Sequence, residues 1–189
     1  GRVADLIARQ TGGDLMQGLA TEGLDVGAPV SEAVNLSQDR YGTAVQRYRS
    51  GIPFSGIDTG FATINIYLNG LCPDEMTAIG ARPSVGKTTI AWQIGLAVAS
   101  QGYRVAAFPL EASQGQTGHL LTRIVGKLNG ERFRKGALTE DEEATRLEAE
   151  ARVRLLPITL FDRKPISMDQ LRASMMHLDA RSHVDLWII

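Results

Sequence analysis

The sequence predicts an α/β fold built on a mainly parallel sheet, and three observations carry that prediction. From residue 74 onward, short apolar runs alternate with longer stretches of helical period. Several of those stretches open on helix-start signals or stop at glycine. Between the first run and the first helix after it lies a tight loop, ARPSVGKT (81–88), of a kind that needs a strand before it and a helix behind it.

Taken in order, residues 1–29 combine a short helical stretch, VADLIARQ, with scattered glycines up to Gly27, Ala28 and Pro29, the composition of an arm or linker. Ser31 is placed to cap a helix that ends at Gly51, with Val34, Tyr41, Val45 and Tyr48 on roughly one face. The expected division is therefore 1–50 as an N-terminal arm with a helix and 51–189 as the main domain. Residues 51–73, rich in Gly, Pro and Asp, predict loops around the short segment ATINIYL. DEMTAIGA (74–81) predicts a strand, KTTIAWQIGLAVAS (87–100) a helix stopped by Gly102, and YRVAAFPLE (103–111) a second strand. A helical region follows through HLLTRIVGKL. Thr139 and Glu142 make a capping box for the helix EATRLEAEARVRLL, and PITLFD is a short strand. Ser167 and Gln170 form a second capping box before MDQLRASMMHLDARS, and VDLWII is the last strand.

Composition narrows the function classes. The 189 residues are 43% hydrophobic and 22% charged, the balance of a globular chain able to bury a core without staples. One cysteine, Cys72, excludes an internal disulfide and points to a reducing compartment, with a small buried hydrophobe as its plain role. No apolar run approaches the roughly 18 residues of a membrane span, and the N-terminus lacks the apolar centre of a signal peptide, so a cytoplasmic location is expected. A net charge of −1 leaves no electrostatic footprint for nucleic acid, and the basic cluster Arg132, Arg134 and Lys135 beside Glu131 fits a solvated turn, with a phosphate contact as the alternative. His119, His177 and His183 lack metal-ligand spacing; Trp92 is expected in the core, and Met168, Met175 and Met176 against the sheet. The chain opens on Gly1 and stops inside the apolar run VDLWII, the pattern of a fragment.

The loop carries the chemistry. A phosphate-binding loop of the form GxxxxGK[ST] needs a glycine six residues before the lysine; here Ala81 stands there, after Gly80, while Gly86, Lys87 and Thr88 fit. A loop leaving a strand and entering a helix turns successive N–H groups inward, and the helix N-terminus adds partial positive charge. Ala81, Arg82, Pro83, Ser84, Val85, Gly86, Lys87, Thr88 and Thr89 are thus the candidate nucleotide-binding residues. Gly86 lets backbone approach phosphate, Lys87 would bridge the β- and γ-phosphates of ATP, and the Thr88 hydroxyl would ligate Mg²⁺. Glu111 ends the strand next in sequence, where a carboxylate could activate the water attacking the γ-phosphate; an ordinary helix-capping role is the alternative.

Around this loop the chain resembles the bacterial replicative DNA helicases of the DnaB type, in their RecA-like motor domain. The resemblance rests on ARPSVGKTT, on the lead-in SGIPFSGIDTGFATINIYLNGL with its Thr-Gly pair before a short helix and a Gly-Leu turn, on AAFPLEAS, and on RFRKGALTEDE; it covers about residue 30 to the end. It implies a RecA-like P-loop core, C-terminally truncated, with Lys87 and Glu111 catalytic, ATP and Mg²⁺ as ligands, and a homo-hexamer in which the 31–49 helix docks on the neighbouring subunit. Pro109 departs from the family, whose strand has a small residue there; a strand losing a ladder donor ends or bulges, re-aiming Glu111. In the family the last strand is followed at once by an aspartate that holds the Mg²⁺ water shell, and Asp185, which lies within the strand, does not replace it. The loops that bind single-stranded DNA, an arginine finger, and a strand inserted between the loop strand and VDLWII are likewise expected beyond Ile189. Two strand edges are then expected to be unpaired, and this chain alone is expected not to turn over ATP. Two other readings stay open: another RecA-fold ATPase, of recombination or a plasmid helicase relative, and a nucleotide-binding assembly module that never hydrolyses.

Overall fold

A computed structural model describes residues 30–52, 54–161 and 166–189. The VADLIARQ stretch lies outside the described residues. The chain divides into two compact units, Gly1–Gly51 and Ile52–Ile189.

In the first unit, α1 spans Val30–Arg49 with none of its residues buried. It starts one residue before Ser31, which therefore lies inside the helix rather than capping it. Past its end, Gly51 takes φ +78°, the left-handed conformation that suits glycine after a helix. Val34, Tyr41 and Tyr48 of the shared apolar face are exposed.

The second unit's first helix is α2 (Ala62–Leu68), the short segment between loops, which the family resemblance expects to be helical. Its β-prone residues are overruled by a buried polar knot. Asn65 Oδ1 accepts from the Thr59 N–H (2.9 Å) and the Thr59 hydroxyl (2.7 Å), and Asn65 Nδ2 donates to Asp58. Asn69, at φ 60°, ends the helix in the left-handed conformation. Ile57 and Leu71 pair antiparallel across this module, and Gly56 crosses Gly70 so closely that a Cβ there would lie 2.7 Å from backbone carbon.

Then come α3 (Lys87–Ser100), β1 (Val105–Ala107), α4 (Gln114–Gly126), α5 (Gly130–Lys135), α6 (Glu140–Arg154), β2 (Ile158–Leu160), α7 (Met168–Arg181) and β3 (Leu186–Ile188). The sheet order is β2-β1-β3, with both pairings parallel. Val105 and Ala107 share a face with their partners Ile158, Leu160, Leu186 and Ile188, because strand side chains alternate. Trp92, Ile94, Leu96, Val98 and Ala99 of α3 and Leu121 of α4 complete the core on that face. Gly95 lets α3 lie close to β3: a Cβ there would meet Ile188 Cδ1 at 2.8 Å.

Both predicted capping boxes are formed, Thr139 with Glu142 and Ser167 with Gln170, and a third, Ser113 with Gln116, opens α4. Asn129 caps α5, where the sequence predicts a solvated turn.

The strand expected at 74–81 does not form. Residues 75–82 carry no regular structure, and Met76 is 93% exposed. A strand exists through its ladder, and no described residue pairs with this segment; β3 likewise has a neighbour on one side alone. Three smaller expectations also change. β1 stops at Ala107 rather than reaching 111, since Pro109 has no N–H to give. Met168 and Met176 are exposed rather than packed on the sheet, because α7 buries Leu171 alone. Cys72 is half-buried, its Sγ 3.8 Å from the Asn69 carbonyl.

Candidate functional site

The phosphate loop is a run of turns ending in a helix. Val85 N–H donates to the Arg82 carbonyl (3.4 Å), and Ser84 (φ 64°) and Gly86 (φ 102°) both adopt left-handed conformations. Gly86 supplies the N-cap of α3 and makes no side-chain cap, as glycine cannot. The first intrahelical bond runs from Ile90 N–H to the Gly86 carbonyl (3.0 Å), so the N–H groups of Lys87, Thr88 and Thr89 have no intrahelical acceptor. They stand where the helix dipole is positive, beside an ammonium and two hydroxyls, a donor set that suits a polyphosphate. Every residue from Ala81 to Thr88 is exposed, and Thr89 is half-buried.

The back of α3 is fixed. Gln101 Nε2 donates to the carbonyls of Asp58 (2.8 Å) and Ala97 (2.9 Å), tying the 56–71 module to the end of the helix. Gly60 approaches the same helix so closely that a Cβ would lie 2.8 Å from that of Ala97. The loop is thus carried by a helix whose other end is locked to its lead-in.

Glu111 lies four residues past Ala107, in the turn between β1 and α4, and is exposed. Phe108 N–H continues the ladder to the Ile188 carbonyl (2.8 Å), and Phe161 N–H donates to the Ala107 carbonyl (2.9 Å). The Phe108 and Phe161 rings stack at 4.2 Å, and Phe108 and Trp187 at 6.0 Å, so the carboxyl ends of all three strands are held together beneath the turn. On the far side, Ser113 N–H donates to Gln116 Oε1 (2.9 Å), Gln116 N–H to Ser113 Oγ (3.2 Å), and Gln114 Nε2 to the Leu160 carbonyl at the end of β2 (3.0 Å).

Lys87, Thr88 and Glu111 line one open cleft of about 1080 Å³ at this end of the sheet. Ala81, Arg82, Pro83, Ser84, Val85, Gly86 and Thr89 do not line it. The Thr88 hydroxyl is an oxygen donor at the cleft wall, and no group of three or more His, Cys, Asp or Glu side chains suited to a metal occurs among the described residues. That donor set fits an ion such as Mg²⁺ that keeps waters and phosphate oxygens as most of its ligands.

Gln114, Gln116 and Thr117 were missed by the sequence reading. Ser113 and Gln116 carry the same capping-box spacing that revealed the other two helix starts, so part of this arrangement was there to be found. In the basic cluster Arg132 pairs with Glu142 (2.9 Å) and Lys135 with Glu131 (2.7 Å), while Glu131 and Arg134 line the same cleft as Lys87 and Glu111. His183 sits 3.4 Å from Asp179 and 3.8 Å from Asp185 across an exposed corner.

Comparison with known proteins identifies the family of this fold. Residues 56–189 match the DnaB-like helicase C terminal domain family. The replicative DNA helicase DnaB of Leifsonia xyli subsp. xyli is 24% identical over 190 aligned positions, covering 100% of this chain and 41% of that protein. Its counterpart in Geobacillus stearothermophilus is 29% identical over 136 positions, 71% of this chain and 30% of the relative. Among solved structures, one ATPase domain superposes with a TM-score of 0.71 at 17% identity, covering 87% of this chain and 56% of that one. A DnaB-like replicative helicase, described with its interactions with primase, superposes at 0.68 and 16% identity, covering 99% and 46%. These two likenesses show the RecA-like α/β fold. The chain spans less than half the length of those two curated relatives. By the family match over residues 56–189, the chain belongs to the DnaB-like helicase C-terminal domain family.

Proposed function

We propose that this chain is part of the ATP-binding and ATP-hydrolysing motor of a longer replicative DNA helicase, with 51–189 as part of its RecA-like ATPase domain and 1–50 as an arm. The observation that carries the reading is the convergence of Lys87, Thr88 and Glu111 on one cleft at a helix N-terminus with no side-chain cap. Lys87 neutralises the β- and γ-phosphates, the backbone N–H groups at the start of α3 hold phosphate oxygens, and Thr88 offers its hydroxyl to Mg²⁺. Bound there, Mg²⁺ would supply charge neutralisation across the phosphates. Glu111, reached from the carboxyl end of the central strand, orients the attacking water and takes its proton.

In the longer protein, α1 docks on a neighbouring subunit of a homo-hexamer, and the assembly moves on single-stranded DNA in the cytoplasm. No described helix is long and apolar enough to cross a membrane.

The direct test is calorimetry of Mg-ATP with this chain and with Lys87→Ala. Loss of one charged hydrogen-bonding group should weaken binding about 10- to 100-fold. Equal affinity in the two proteins, or no binding by the natural chain, would remove the nucleotide from the cleft. In the longer protein, ATP turnover that DNA leaves unchanged would argue against a helicase motor.

A further inference from the structure

Thr117 is 1% exposed, lines the same cleft, and its hydroxyl is the one buried side-chain N or O atom without a hydrogen-bond partner among the described residues. A helical threonine has a default acceptor in the carbonyl four residues back. Thr43 and Thr145 use it, donating to Asp39 (3.1 Å) and Asp141 (2.9 Å), and Ser100 does the same toward Leu96 (2.7 Å). At Thr117 the corresponding Ser113 carbonyl receives the backbone N–H alone (2.9 Å), while the hydroxyl makes no bond. An orphaned buried hydroxyl is destabilising, and valine would fill the same space without that cost.

The location says what the hydroxyl is for. Thr117 is the fourth residue of α4, one turn in from the Ser113 cap that follows Glu111 and Ala112, and it lines the same cleft as both of them. The Glu111 turn is tied at its two ends, by Phe108 to β3 and by the Ser113–Gln116 box to α4. Between them, no backbone hydrogen bond holds residues 109–112 among the described residues, so their carbonyls remain available.

We propose that Thr117 is a positioning residue for Glu111. Its hydroxyl donates a hydrogen bond to a carbonyl of the 109–112 turn when that turn closes over the γ-phosphate of a bound triphosphate, a role that rests on the nucleotide-binding reading of the cleft. The bond is absent in the free protein and made in the triphosphate-bound one, so the group costs stability in one state and returns affinity in the other.

Thr117→Val and Thr117→Ser test this through melting of the free chain and calorimetry with Mg²⁺ and either ADP or a non-hydrolysable ATP analogue. The valine variant should melt about 2 to 4 °C higher when free. It should bind the triphosphate analogue about 3- to 10-fold more weakly, with ADP affinity unchanged and the serine variant restoring the analogue's affinity. A valine variant that melts lower means the hydroxyl is already satisfied in the free protein, and overturns the proposal. Unchanged analogue affinity, or equal losses for ADP and analogue, also overturns it while leaving nucleotide binding intact. A natural chain that binds neither nucleotide overturns the reading of the cleft, and with it the role of Thr117.

Discussion

Beyond its first turn α3 carries Trp92, Ile94, Leu96, Val98 and Ala99, all buried, while that first turn presents Lys87 and Thr88 in the open. One end is wedged against β1 and β3 and pinned by Gln101 to the 56–71 module; the other ends in a glycine cap, with the exposed segment 74–80 running up to the loop. The two ends answer to different physics. Burying an apolar side chain contributes about 1.5–3 kcal/mol and rewards close packing. Unclaimed N–H groups, an ammonium and an exposed carboxylate add nothing to the free fold, and their value appears when charge is placed among them. The rigid half lets the open half keep its donors aimed without a ligand to hold them.

That division makes stability and chemistry separable by mutation. The largest effect should come from the anchored half. Trp92 is 3% exposed between α3, β1 and α4, and Trp92→Ala should cost about 3–5 kcal/mol, enough to unfold much of a marginal domain in a denaturant titration. A loss below about 1 kcal/mol would mean that the core on this face is not closed. At the open end, Glu111→Gln should leave the melting temperature and Mg-ATP affinity of the longer protein nearly unchanged while lowering its turnover about 10²- to 10⁴-fold. Turnover within a few-fold of the natural protein would assign Glu111 to helix capping instead.

The same contrast explains what was legible in the sequence. Most features written locally came through: Gly86 at the start of α3, Gly102 after it, and the Thr139 and Ser167 capping boxes, each set by residues within a few positions of one another; Ser31, inside α1 rather than capping it, is the exception. Features that depend on a partner did not. DEMTAIGA has the composition of a strand, but strand structure belongs to the ladder, and no described residue supplies one. The ATINIYL helix is held by Asn65 and its bonds to Thr59 and Asp58, an interaction that no periodicity encodes, so the family resemblance pointed to it and the residue pattern did not. Thr117 was illegible for a plainer reason: an orphaned hydroxyl is defined by what surrounds it.

The outer layer offers a third regime, between packed core and bare site, and the smallest effect. Among its fifteen residues α6 buries Ala149 alone, while Leu147 is 54% exposed. It therefore leans on its own local chemistry. Thr139 and Glu142 close the capping box, Arg146 lies between Glu143 and Glu150, and the hydrogen bond from Arg146 holds the Glu143 carboxyl below its ordinary range. Thr139→Ala removes an acceptor from the Glu142 N–H at the open end of the helix and should cost about 1 kcal/mol, a fall of about 2 to 4 °C in melting temperature. Nucleotide affinity should not move, since neither Thr139 nor Glu142 lines the cleft. If Thr139→Ala instead weakened Mg-ATP binding, α6 and the loop would form one cooperative unit, and the separation between a packed support and an open site would have to be drawn elsewhere in the molecule.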